Sequence, residues 1–145
     1  MLWILRLSLA FVVTIALAAC GSSSTAPTTT QSFAVTAKEF GFAPAQLTVT
    51  AGQPVELIFQ NTGAVEHDWS VREIDLAGNP TATEVSGGHM TGDMHDTPKL
   101  HVAAGPNAQT KLTFTPSKAG TYEVLCTVAG HKEAGMVGTL TVTAP

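Results

Sequence analysis

The chain has 145 residues, a net charge of −4 from seven Lys/Arg against eleven Asp/Glu, and two cysteines. That length allows one domain of ordinary size. The acidic balance argues against nucleic-acid binding, which calls for a basic patch, and favours partners with a basic or apolar docking face.

Residues 1–19 read as an export signal. A short start carrying Arg6 precedes an apolar run from Leu7 to Ala19, too short for a membrane span and suited to the h-region of a secretory signal. Leu17-Ala18-Ala19-Cys20, followed by Gly21 and three serines, resembles a bacterial lipobox. That resemblance implies cleavage before Cys20 and a diacylglycerol on its sulfur. The alternatives are an ordinary signal peptide with Cys20 incidental, or a single signal-anchor helix. With Cys20 lipidated, Cys126 is the one thiol left and no disulfide can form within the mature chain. Cys126 is then either inert and buried or chemically used. The rest of segment 20–31, "GSSSTAPTTTQ", lacks apolar periodicity and reads as a flexible tether reaching about 20 Å as a coil.

From residue 32 to 145 the pattern is β. "SFAVTAKEF" alternates Phe33, Val35 and Ala37 with polar neighbours, and "AQLTVT" does the same with Leu47 and Val49. Turn residues Ala51 to Pro54 lead into "VELIFQN", and a second turn follows at Asn61-Thr62-Gly63. In "VEHDWSVR", alternation sets Val65, His67, Trp69 and Val71 on one face and Glu66, Asp68, Ser70 and Arg72 on the other. "TKLTFTP", "YEVLC" and "GTLTV" complete the series. Seven to eight short strands with Gly/Pro punctuation and no helical period predict an all-β, Greek-key β-sandwich. The rhythm breaks from 73 to 99, where a long polar loop contains "GGHMTGDMHD". A loop of that length in a compact domain is functional or disordered.

Three soft or borderline metal donors stand five residues apart after the strand "YEVLC": Cys126, His131 and Met136. Thiolate, imidazole and thioether suit copper better than calcium or magnesium. A third strong ligand is needed, and His67, on an inward strand face far away in sequence, is the best candidate. Taken singly, each residue has a plainer reading: a buried cysteine, a solvated histidine, a packing methionine, a core histidine. Taken together they require four coincidences.

Cys-x4-His-x4-Met, with an upstream His after an N-x-G turn and a closing "GTLTV", resembles the small blue-copper proteins, or cupredoxins. "GTYEVLCTVAGHKEAGMVGTLTV" is especially similar to auracyanin-like and plastocyanin/azurin-like sequences, and "FGFAPAQLTVTAGQPVELIFQNTG" to the family's first strands. The resemblance covers most of Phe33 to Val142. It implies one mononuclear Cu(I)/Cu(II) site, with His67, Cys126 and His131 in a trigonal plane and Met136 as a long axial ligand. Two positions depart from the pattern. Asp68 stands where the family often has Asn, whose side chain ties the His strand to the position of Thr127; the alternative for Asp68 is a solvated charge. Ala129 stands where proline is common, leaving the loop less rigid.

One cysteine on the loop rules out a binuclear site, and Leu125 and Thr127 flanking it rule out a trinuclear oxidase centre. Four protein ligands leave no open position for substrate, so the expected role is a monomeric one-electron carrier and not an enzyme. Redox proteins would dock briefly near His131, at a patch rimmed by Phe42, Pro44, Val128, Ala129 and Ala134. Acylated Cys20 would hold the domain on a membrane, facing the periplasm or the cell exterior. The alternative is a copper-trafficking lipoprotein that catches copper through His89, Met90, Met94 and His95, with His101 nearby; a third is a metal-free adhesive sandwich.

Overall fold

The computed structural model describes residues 28–86 and 98–145. The expected signal, Cys20, most of the tether, and His89, Met90, Met94 and His95 lie outside the described residues. Ten strands form among the described residues: β1 Gln31–Lys38, β2 Gly41–Ala43, β3 Gln46–Thr50, β4 Val55–Asn61, β5 His67–Val71, β6 Thr81–Ser86, β7 Leu100–Ala104, β8 Gln109–Phe114, β9 Gly120–Leu125 and β10 Val137–Thr143. They make two five-stranded sheets, ordered β2-β1-β4-β8-β6 and β3-β10-β9-β5-β7. Described residues contain no helix.

Alternation along the strands builds the interior. Val55, Leu57 and Phe59 of β4 turn inward beside Leu112 and Phe114 of β8, with Leu57 opposite Leu112. From the other sheet come Leu47, Val49, Val124, Leu140 and Val142. Trp69 on β5 meets Phe114 on β8, ring centroids 6.4 Å apart, so one aromatic pair bridges the two sheets. Each fully buried Leu or Phe side chain contributes about 2 kcal/mol relative to exposure.

Ten strands are two or three more than the seven or eight expected, and β2, β6 and β7 are the ones not among the runs named from the sequence. β2 holds only three residues. β6 is the polar edge of its sheet, "TATEVS", where Ala82 is partly buried against the core and Thr81, Thr83, Glu84 and Val85 are exposed. It lies inside the segment read as a continuous loop from 73 to 99. The same segment buries Ile74, bridges Leu76 to Pro116, and bonds Lys99 N–H to the Arg72 carbonyl. β7, "LHVAA", buries four of its five residues and so shows no clean alternation. All five residues of β5 are buried as well. The face opposite His67, which carries Asp68 and Ser70, is covered as well, while Val65 is 43% exposed and precedes the strand.

The turn from β4 to β5 places His67. Asn61 is fully buried; its Nδ2 donates to the carbonyls of Val65 (2.7 Å) and Ala104 (2.9 Å), and its Oδ1 accepts the Gly63 N–H (2.8 Å). One side chain therefore closes the turn and fastens it to β7. Asn61→Ala would strand these backbone groups in the interior, an expected loss of about 3 kcal/mol. Chemical denaturation of the apoprotein measures it, and a loss near zero would show that the turn holds without Asn61.

Candidate metal centre

β9 ends at Leu125, and Cys126 begins a loop that closes on itself. Its N–H donates to the Met136 carbonyl (3.2 Å), and the Met136 N–H donates to the His131 carbonyl (2.9 Å). The backbones of Cys126, His131 and Met136 are thus tied together before any metal is considered. Gly130 and Gly135 sit at φ +84° and +97°, a left-handed conformation open to glycine at little cost. Further turn bonds run from His131 N–H to Val128 and from Ala134 N–H to Gly130, both 3.0 Å. They keep the loop compact with Ala129 in place of proline.

β5 brings the fourth residue from the far side. His67 Nδ1 lies 3.2 Å from His131 Nδ1, and Cys126 Sγ lies 3.4 Å from the same nitrogen. The donor atoms of His67, Cys126 and His131 all lie within 4.8 Å of one another. His67 and Met136 are fully buried, and His131 is 8% exposed. Burial, with His131 adding to it, lowers the pKa of His67, which favours the neutral imidazole that a metal requires. Burial pushes the Cys126 thiol up to about 11; a bound cation reverses that preference and takes the thiolate.

Asp68 binds the Cys loop to β5. It is 2% exposed. Its carboxylate accepts the Thr127 N–H at 2.9 and 3.0 Å on its two oxygens, the Thr127 hydroxyl at 2.7 Å and the Ser70 hydroxyl at 2.8 Å. Its own N–H points at Cys126 Sγ, 3.5 Å away. The solvated reading of Asp68 does not hold, because these donors replace its water. Ser70 also meets His101 Nδ1 at 2.9 Å, which places His101 on β7 opposite Ser70.

The expected surface patch needs one correction. Phe42 is buried against Phe59, centroids 6.4 Å apart, because the alternation of β2 turns it inward. The aromatic beside the site is Phe40, 46% exposed and edge-on to His131 at 4.9 Å. Its place at the end of "SFAVTAKEF" gives Phe40 the look of a strand residue, whereas β1 ends at Lys38. Pro44, Ala129 and Ala134 are exposed, and Val128 is half-buried.

Residues 29–143 match the copper binding proteins of the plastocyanin/azurin family. The chain belongs to that family. Among its relatives, the copper-resistant cuproprotein CopI of Rubrivivax gelatinosus is 34% identical over 105 residues, covering 70% of this chain and 59% of the relative. Auracyanin-A of Chloroflexus aurantiacus is 31% identical over 106 residues, 65% of this chain and 62% of the relative. The match thus spans about three fifths of the length of these two relatives. The solved structure of auracyanin A, a "blue" copper protein, superposes with a TM-score of 0.56 at 26% identity, covering 79% of this chain and all of that one. Family membership makes copper the cofactor, and the buried His-Cys-His group is positioned for a single ion.

The negative charge of Asp68 beside the thiol favours the higher oxidation state of a nearby ion. Asp68→Asn keeps an acceptor for Thr127 and removes the charge. The expected result is a midpoint potential raised by tens of millivolts, the order set by one unit charge a few ångströms away. Redox titration of the copper-loaded protein measures it; a potential that stays put or falls contradicts the charge argument.

Proposed function

We propose that this protein is a type 1 copper electron carrier, moving single electrons between protein partners at the outer face of a bacterial membrane. The observation that carries the reading is the convergence of two imidazole nitrogens and a thiol in a buried pocket whose one edge, at His131, approaches the surface. His67, Cys126 and His131 would hold copper as its strong ligands, with Met136 as a weaker fourth donor. Copper held there supplies a one-electron Cu(I)/Cu(II) couple. The chain holds the donors in place by strand pairing and loop hydrogen bonds, so little has to move when the charge changes. Four protein donors leave no place for a substrate, which supports a carrier and not an enzyme. His131 and Phe40, with exposed Ala129 and Ala134 nearby in the loop, offer a small apolar contact for transient docking. The apolar run to Ala19 and the Leu17-Ala18-Ala19-Cys20 sequence support export and a lipid anchor.

The name of the CopI relatives favours a second reading, copper handling. His89, Met90, Met94 and His95 are donors suited to Cu(I).

A visible spectrum with redox titration tests the first reading. Copper-loaded protein is expected to be intensely blue through thiolate-to-copper charge transfer, and Cys126→Ser to be colourless. A colourless wild type after copper addition would remove the carrier. For the second reading, copper stoichiometry is expected to exceed one and to fall when His89, Met90, Met94 and His95 are all replaced by Ala; an unchanged stoichiometry disposes of it.

A further inference from the structure

His67 presents one ring nitrogen, Nδ1, to His131 and Cys126. Its other nitrogen, Nε2, is buried without a hydrogen-bond partner among the described residues. A neutral imidazole carries its one proton on one nitrogen or the other, and only a proton on Nε2 leaves the Nδ1 lone pair for a metal. Near Nε2 stands a carboxylate, Glu39 Oε1, at 3.8 Å.

Strand register brings it there. β1 and β4 run parallel with Ala37 opposite Asn61, so the same register carried two residues on sets Glu39 beside Gly63. The carboxylate accepts the N–H groups of Ala64 and Val65. Its own backbone N–H and that of Ala64 hold its pKa below the ordinary value, so it is charged at neutral pH. Gly63 leaves the space: a Cβ at that position would overlap Oε1 of Glu39. The alternative tautomer of His67 would turn the buried Nε2 lone pair toward this negative charge, a repulsion that solvent moderates on the side of Glu39, whose side chain is 28% exposed.

We propose that Glu39 is a positioning residue of the copper site, whose carboxylate keeps the proton of His67 on Nε2 and whose charge favours Cu(II) over Cu(I). A carboxylate behind a metal-binding imidazole fixes its tautomer and raises its basicity. The inference rests on His67 being a ligand. It adds a second negative charge near the site, beside Nε2 of His67, to that of Asp68 beside Thr127.

Two measurements test it. In apoprotein, long-range proton–nitrogen correlation of the imidazoles is expected to show His67 as the Nε2–H tautomer, and Glu39→Ala to shift it toward Nδ1–H. In copper-loaded protein, Glu39→Gln retains an acceptor oxygen for Ala64 and Val65 but loses the charge. It is expected to lower the ratio of Cu(II) to Cu(I) affinity by about tenfold, an upward potential shift of about 59 mV. Gly63→Ala pushes the carboxylate away at constant charge and is expected to shift both readings in the same directions by less. It also supplies the tautomer reading should Glu39→Ala not fold. A role confined to capping the turn would leave the potential of Glu39→Gln at the wild-type value. That result, or a His67 tautomer indifferent to loss or displacement of the carboxylate, overturns the proposal. The tautomer needs no copper, so failure of the wild type to bind copper and failure of Glu39 to position His67 are seen separately.

Discussion

The site depends on one buried carboxylate. β5 and β9 are paired at a single position, Ser70 with Leu125, and beyond it the chain at Cys126 leaves the ladder for its loop. Asp68 replaces the missing backbone bonds, taking both the N–H and the hydroxyl of Thr127. Together with the Asp68 N–H that points at Cys126 Sγ, that bond ties the strand that carries His67 to the loop that carries Cys126. Burying a charge is costly unless donors replace its water. Here Thr127 and Ser70 do so, and the cost becomes a reason for the loop to stay where it is.

The rest of the centre follows from the same logic, in which local polar bonds hold donors that would otherwise be loose. The loop from Cys126 to Met136 is closed by its own backbone. The turn before His67 is closed by Asn61, which also reaches β7, and by Glu39 reaching across from the end of β1. His67 therefore sits between two fastened loops, with a carboxylate behind its ring. Hydrophobic packing alone would not produce this arrangement, because packing is tolerant of small rotations and an imidazole nitrogen aimed at a metal is not.

Reading the chain in order captured the strands whose alternation is clean, such as β3, β4 and β8, each with one buried and one more exposed face. It missed β6, because a polar edge strand has little hydrophobic signal, and β7, because a strand buried on both faces loses its period. The same limit misplaced the rim of the site. Phe40 and Phe42 are two residues apart and chemically identical, and only the turn after Lys38 leaves one against His131 and sends the other into the core.

By itself the sequence determined the β-sandwich class and pointed to His67, Cys126 and His131, which the fold brings together, because alternation of apolar residues and the ligand preferences of copper are local properties of residue type and spacing. Tertiary structure alone decided that the strand face bearing Asp68 is dry, that Phe40 covers His131, and that Glu39 stands behind His67. Each of those depends on which strands lie side by side and in what register, and contacts between residues 28 to 91 positions apart leave no periodic trace along the chain.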